Sequence, residues 1–291
     1  MGNKAERKRG WLYLTPSLIV IFGIVLYPLI YSLTISLFKW DLTSPKDRPF
    51  VGLQNYISIF TRPQFVDSLV LTLWFTALSL TITIVLGILI AIYLNHNFKG
   101  RNFMRVVVLI PWMLPAVVVG IMWEWILNAN YGVINSIFVQ LHIIDTYKNW
   151  LGSSSTAFIS LLLVKCWKEI PFVALMYLAG LQTISKDLVE AAQIEGMNNF
   201  NIFLKIKLPL LKPVSLVVII LQTMWTFRVF DIVYVMTGGG PANKTMVVAY
   251  YAYLENFKFY HFGTGSAMAY VITIIILIAS IAYLKVIKPT E

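Results

Sequence analysis

Five ionisable side chains, Lys165, Lys168, Glu169, Arg228 and Asp231, stand inside stretches of this sequence that are otherwise apolar. Charge surrounded by hydrocarbon is costly, so such groups turn to the interior of a bundle or to water, where they pair or line a path for a polar solute. Lys165, Glu169 and Phe172 fall at i, i+4 and i+7, one face of a helix, with Pro171 loosening the backbone ladder beside them. Gln222, Trp225, Thr226 and Val229 make a second such face, and Arg228 and Asp231 lie three residues apart next to it. A polar face carrying aromatics is what a sugar needs, because hydroxyls take directed hydrogen bonds and the C–H faces of the ring pack on aromatic planes. The structural alternative is that Lys165–Glu169 and Arg228–Asp231 are ion pairs that only neutralise charge between helices, with Asp231 fixing the turn beyond it.

Other chemistries lack their parts. His96, His142 and His261 sit in separate connections without a second ligand at metal spacing, so neither a metal site nor a catalytic triad assembles from them. Cys166 is the one cysteine, which excludes an intrachain disulfide and a cysteine-based metal cluster. No Gly-x4-Gly-Lys-Ser/Thr phosphate loop occurs: the run Gly238-Gly239-Gly240 is followed directly by Pro241, not by the Lys-Ser/Thr pair and helix start that such a loop needs. A clustered nucleophile with an acid–base pair is also missing. The expectation is a chain that is not an enzyme, with no catalytic residue, metal or cofactor of its own.

The elements that carry the two polar faces must be membrane helices. Of the 291 residues, 58% are hydrophobic and 12% charged, and the mean hydropathy is +0.76; a soluble domain is about a quarter charged. Long continuous apolar runs exclude a β-barrel, whose strands alternate. Six segments reach the length of about 20 residues that a bilayer core requires: Trp11–Phe38, Ser68–Asn95, Phe103–Leu127, Thr156–Ile184, Val214–Met236 and Thr264–Ile287. The first follows a basic tail, residues 1–10, yet is far longer than a signal-peptide core and is read as a retained helix.

An even number of spans puts both termini on one side, and basic residues decide which. Lys4, Arg7, Lys8, Arg9, Lys99, Arg101, Arg105, Lys186, Lys205, Lys207, Lys212, Lys285 and Lys288 fall on the side of the termini. Only Lys39, Lys46, Arg48, Arg62, Lys148, Lys244 and Lys258 fall on the other. Both termini are therefore expected in the cytoplasm. The net charge of +10 is thus a topology signal rather than a nucleic-acid face. In the outer connections Leu53, Tyr56, Ile57 and Phe60, and again Ile134, Ile137, Phe138 and Leu141, repeat at i, i+3, i+4, i+7, which predicts two short amphipathic helices. Thr237-Gly238-Gly239-Gly240-Pro241 predicts a sharp exit turn after the fifth span.

The longest inner connection, residues 185–213, runs Glu190-Ala191-Ala192, three residues, Gly196, nine residues, Ile206, one residue, Leu208-Pro209. Acidic residues early and Gly196 at a break predict helix, turn, helix. At each of its fixed positions this pattern resembles the signature loop of ABC importer permeases. The maltose-type and glycerol-phosphate-type branch is also resembled in Phe50-Val51-Gly52-Leu53-Gln54-Asn55-Tyr56, in Leu178-Ala179-Gly180-Leu181-Gln182, and in Phe230-Asp231 ahead of the exit turn. Ser185 stands where a proline is common, and Glu195-Gly196-Met197 where Asp-Gly-Ala is usual.

The resemblance covers nearly the whole chain and implies an all-α membrane protein of the type I ABC importer permease fold, in which residues 11–291 form one transmembrane domain of a prokaryotic cell membrane. It implies that Glu190 to Phe200 is a coupling helix seated on a separate ATPase subunit, with Glu190 for a charge contact, Ala191 and Ala192 for close packing and Gly196 for the turn. Ile206 completes the pattern, and Leu208 and Pro209 anchor the return into the fifth helix. It raises Lys165, Glu169, Phe172, Gln222, Trp225 and Thr226 to path-lining residues. The implied partners are a second permease, two ATPase subunits that bind ATP and magnesium, an extracytoplasmic solute-binding protein, a carbohydrate and membrane lipid, with no nucleic acid. The rival reading is an ion-coupled secondary transporter, which has no need of a long-spaced cytoplasmic signature; a permease for a solute other than a carbohydrate is a second.

Overall fold

The computed structural model describes residues 4–44 and 47–286. Lys46, Lys288 and the end of the sixth expected span, Ile287, lie outside the described residues, as do the first three residues of the tail. Among the described residues there is no strand, only two isolated bridges, Phe38 with Phe50 and Asp41 with His261. The chain divides into two units, residues up to Val66 with Ala252–Val271, and Asp67–Tyr251 with residues from Ile272 onward.

In the first unit α1 (Lys4–Val20) continues through a π-helical turn, Ile21–Leu26, into α2 (Tyr27–Ser36). The short amphipathic helix expected around Leu53 is α3 (Gln54–Phe60). Asn55 fastens it: the buried amide donates to the carbonyl oxygens of Ser36, at 2.8 Å, and Phe38, at 2.9 Å. Buried Glu255 accepts from Arg62 at 3.1 Å, and its other oxygen lies 3.1 Å from Nδ1 of His261. His261 Nε2 is 3.6 Å from Asp41 Oδ2. The Thr43 hydroxyl and amide both donate to Asp41 and hold its carboxyl below the usual range.

The second unit contains α4 (Pro63–Asn95, whose first turn belongs to the other unit), α5 (Arg101–Met113), α6 (Ala116–Ile126), α7 (Val133–Gln140) and α8 (Ser154–Gln182). After them come α9 (Lys186–Ile194), α10 (Asn199–Ile202), α11 (Leu208–Leu210), α12 (Lys212–Phe227) and α13 (Asp231–Met236). Two further helices, α14 (Val248–Tyr253) and α15 (Phe262–Val286), run across the division. The second amphipathic pattern forms α7, held by buried Asn135, whose Oδ1 accepts from Trp150 Nε1 at 2.8 Å.

Tyr13–Ser36, Pro63–Asn95, Lys212–Met236 and Phe262–Val286 are long and apolar enough to cross a membrane. The expected third span, Phe103–Leu127, is not one helix: α5 and α6 meet at 92° and make a fifth crossing only as a broken pair. The break falls at Leu114-Pro115, both extended, because Pro115 has no N–H to continue the ladder and drives Leu114 out of the helical region. Pro111, four residues earlier, is accommodated inside α5. At 29 residues α8 is long enough, but every 18-residue window of it contains Lys165, Lys168 and Glu169.

In a bilayer, helices gain little from hiding apolar surface and associate through close packing and hydrogen bonds. Ala91 and Leu94 of α4, Val173, Tyr177 and Leu178 of α8, and Leu211 and Val218 around α12 form the core where these helices meet. Gly87 makes the approach of α4 to α8 possible: a Cβ there would lie 2.5 Å from Val173 Cγ1 and 3.3 Å from the Ala174 nitrogen. Gly87→Ala is therefore expected to destabilise the protein by about 1–3 kcal/mol, the usual cost of overpacking, as a lowered melting temperature in detergent; an unchanged one would show that the two helices separate freely.

Candidate functional site

The polar faces predicted on α8 and α12 meet. Lys165 is 3% exposed and its ammonium spends all three protons: it donates to Ser79 Oγ at 2.8 Å, Gln222 Oε1 at 3.2 Å and Thr226 Oγ1 at 2.6 Å. One side chain thus ties α4, α8 and α12 together. The Thr226 hydroxyl in turn donates to the backbone carbonyl oxygen of Gln222 at 2.7 Å.

Gln222 is the intermediary between Lys165 and Glu169 of α8. Its Nε2 donates to Glu169 Oε2 at 3.4 Å while its Oε1 serves Lys165. The direct i, i+4 ion pair considered for Lys165 and Glu169 does not form, nor does one between Arg228 and Asp231; among the described residues the ion pairs are those around Glu255 and His261. The reason is geometric: the ammonium points across to α4 and α12, where three oxygens converge, and Arg228 caps the end of α12 while Asp231 opens α13, both exposed.

Beside this knot the wall becomes aromatic. Phe172, half-buried, stacks on Trp112 with ring centres 5.5 Å apart and meets Trp225 edge-on at 4.8 Å. Of the six residues read as path-lining, Lys165, Gln222 and Thr226 are buried in the knot, whereas Glu169, Phe172 and Trp225 keep accessible surface. Two members of the cluster went unread. Ser79 had a signal: Ser68, Thr72, Thr76, Ser79 and Thr83 form a stripe at helical spacing along α4, and all are buried. Trp112 had none, since its place against Phe172 depends on the packing of α5 on α8.

The exit turn folds as expected, with Gly238 at φ +55° and Gly239 at φ +81°. Thr245, buried, reaches the Gly240 carbonyl oxygen at 2.6 Å and the Thr237 hydroxyl at 2.9 Å.

The connection between α8 and α12 is helix, turn, helix. Ser185 caps α9, its Oγ accepting from the Asp187 amide at 3.2 Å, a function a proline could not supply. The stretch Glu190–Phe200 is not one helix: α9 begins earlier and ends at Ile194. Gly196 follows at φ +81°, its amide donating to the Gln193 carbonyl oxygen and that of Met197 to Ala192, both at 3.0 Å. That is the paired bonding of a Schellman termination, which requires a left-handed residue at this point. A Cβ on Gly196 would meet nothing within 4 Å, so conformation rather than space demands the glycine. Asn198 then caps α10, accepting from the Asn201 amide at 2.8 Å.

Ala192 faces inward, while Glu190 and Ala191 are exposed. Ile206, Leu208 and Pro209 are half-buried, and the deepest anchors nearby are Ile202 and Leu211, at 1% and 0% exposure. Ile194 and Phe200, by contrast, are 88% and 68% exposed. The turn thus presents two bare apolar side chains on either side of the exposed Glu195.

Three comparisons bear on these features. The model of the family described as the binding-protein-dependent transport system inner membrane component matches residues 83–288. The chain is 39% identical over 284 residues to the trehalose/maltose transport system permease protein MalF of Thermococcus litoralis, covering 97% of this chain and 94% of the other. It is 35% identical over 286 residues to the sulfoquinovosyl glycerol transport system permease protein SmoG of Agrobacterium fabrum, covering 98% and 92%. Among solved structures, a chain of a bacterial ABC transporter involved in the import of the acidic polysaccharide alginate superimposes with a TM-score of 0.84 over 98% of this chain and 97% of that one. At 22% identity that likeness is one of fold.

Proposed function

The chain belongs to the family of binding-protein-dependent transport system inner membrane components, and from that premise we propose that it is the permease subunit of an ATP-driven carbohydrate importer in a prokaryotic cell membrane. The observation that carries the substrate class is the bond of Gln222 to Glu169 between α12 and α8, one helical turn from the contact of Trp225 with Phe172, on which Trp112 stacks. Carboxylate and amide supply directed acceptors and donors, and the rings supply flat apolar faces, the pairing a polyhydroxylated ring requires. Relatives named for trehalose or maltose and for sulfoquinovosyl glycerol support the same class.

In this reading α8 is the remaining span, with Lys165 and Glu169 met by Gln222 and Lys168 by the Trp112 carbonyl oxygen, so that six spans leave both termini in the cytoplasm. The turn around Gly196 then lies on the cytoplasmic side and seats on a separate ATPase subunit, which binds ATP and magnesium. A second permease completes the path, and an extracytoplasmic solute-binding protein delivers the cargo. Closure of the ATPase pair rocks the bundle between two states, each open to one side, because a ligand or partner shifts such an equilibrium only by favouring one state.

The expected result is that the tagged protein, purified from its own membranes, brings with it a second permease and two copies of an ATPase, and that reconstituted vesicles take up a sugar only with ATP and loaded binding protein. Uptake that continues with the ATPase inactivated, or that an ion gradient alone sustains, would establish a secondary transporter instead.

A further inference from the structure

The helix α4 is long and apolar enough to cross a membrane and ends at Asn95, so the residues after it lie where hydrocarbon gives way to headgroups. They run through Lys99 to Gly100, and α5 then opens with Arg101 and carries Arg105 one turn on. Between Asn97 and Phe103 the chain bounds an open cleft of about 520 Å3, which Lys99 and Arg101 line.

Basic residues at the end of a span orient a protein without binding anything in particular, but this set has features that orientation does not need. No Asp or Glu occurs between Asp67 and Glu124, and among the described residues Lys99, Arg101 and Arg105 have no carboxylate partner. Arg101 donates to Asn97 Oδ1 at 2.8 Å, and Arg105 to the Leu94 carbonyl oxygen at 3.3 Å, which ties α5 to the end of α4. Each guanidinium has five N–H donors, so most of them stay uncommitted. The Nε of Arg105 is buried without a hydrogen-bond partner. The flanks of the cleft are apolar: Phe98, which lines it, packs on exposed Tyr93 with ring centres 5.1 Å apart, and Phe103 at its other end is exposed as well. Uncompensated positive charge for a phosphate, apolar rings beside it and a place at headgroup depth together complement a phosphate that carries acyl chains. A free anion would use the charge and leave the rings bare.

We infer that the cleft between α4 and α5 binds the headgroup of an anionic phospholipid, with Lys99 and Arg101 as its phosphate ligands and Tyr93 and Phe103 beside the chains. Arg105 is a positioning residue, holding α5 to the end of α4. The inference rests on the orientation proposed above only for the leaflet that supplies the lipid, the inner one.

The experiment uses the complete transporter with its partner subunits, freed of lipid in detergent and titrated with phosphatidylglycerol or phosphatidylcholine, bound lipid being counted by native mass spectrometry. Lys99→Gln/Arg101→Gln is expected to weaken phosphatidylglycerol binding by about 25-fold, since one basic residue near an anionic surface contributes about fivefold. Binding of phosphatidylcholine should not change. Lys212→Gln/Lys285→Gln, which takes the same charge from exposed positions elsewhere in the second unit, should bind phosphatidylglycerol as the wild type does. Equal losses in the two pairs would reveal a general attraction and overturn the site, as would an unchanged affinity in the first pair. Millimolar inorganic phosphate should not displace the lipid; displacement would make a soluble anion the occupant and overturn the lipid assignment. If the first pair does not assemble, Lys99→Gln alone carries the test, with a fivefold loss expected and wild-type affinity counting against the site. Termini found outside the cell would refute the orientation and move the site to the other leaflet, while these affinities still decide whether it exists.

Discussion

Gly196→Asp is expected to leave the protein inserted and folded yet to abolish both uptake and the stimulation of ATP hydrolysis by loaded binding protein. A left-handed residue other than glycine costs about 1–2 kcal/mol, and less for aspartate and asparagine, which is too little to unfold a membrane bundle. The added side chain enters open space within this chain, so any large effect arises at a surface that something else covers. That surface holds Glu190, Glu195, Ile194 and Phe200, and a further carboxylate there must be desolvated when a partner seats. A loss of at least about tenfold in uptake, equivalent to about 1.4 kcal/mol of coupling, is the expected scale. Gly196→Asn separates the causes, since it adopts the same backbone without charge and should retain most activity. Uptake assays in vesicles with melting temperatures alongside decide the matter, and unimpaired uptake in the aspartate variant would remove Gly196 from the coupling surface.

Lys165→Met is expected to destabilise the protein by about 2–4 kcal/mol, a range set by hydrogen bonds to a charged group and moderated by the weaker values found between membrane helices. The methionine fits the stem of the lysine but leaves Ser79, Gln222 and Thr226, all fully buried, without their common donor. Orphaned polar atoms, more than the lost charge, are the source of the cost. Removing two of them as well, in Lys165→Met/Ser79→Ala/Thr226→Val, should therefore recover part of the stability, whereas a structure that merely needs a positive charge would lose more. Melting temperatures of the detergent-solubilised variants read this directly. Transport should fall in the single variant too, because Gln222 loses the contact that orients it toward Glu169.

Much of this arrangement was legible before any coordinates. Spacing of i, i+3, i+4, i+7 sufficed for α3 and α7, because a short amphipathic helix is encoded by its own residues. The faces of α8 and α12 were equally visible, since intramembrane charge is rare enough to be conspicuous. What escaped depends on residues distant in the chain. Lys165 and Glu169 do share a helix face, but whether they pair is decided by Ser79, 86 residues away, and Gln222, 57 residues away. Pro111 and Pro115 look alike in sequence, yet one is absorbed in a helix and the other ends it. The turn at Gly196 was visible as a break, whereas the start of α9 four residues before Glu190 rested on Ser185, whose capping oxygen does not register in a pattern of apolar positions.

The three oxygens around Lys165 also carry a time order. Ribosomes make α4 before α8 and α12 after it, so when α8 emerges only Ser79 is available to the ammonium, and Gln222 and Thr226 do not yet exist. Each lysine at a helix centre raises the cost of an isolated insertion by about 2.5–3.5 kcal/mol, and here two of the three compensating bonds arrive late. The place of α8 is thus provisional during synthesis and becomes permanent with α12, which makes the polar centre of the bundle among the last features of the nascent chain to be completed.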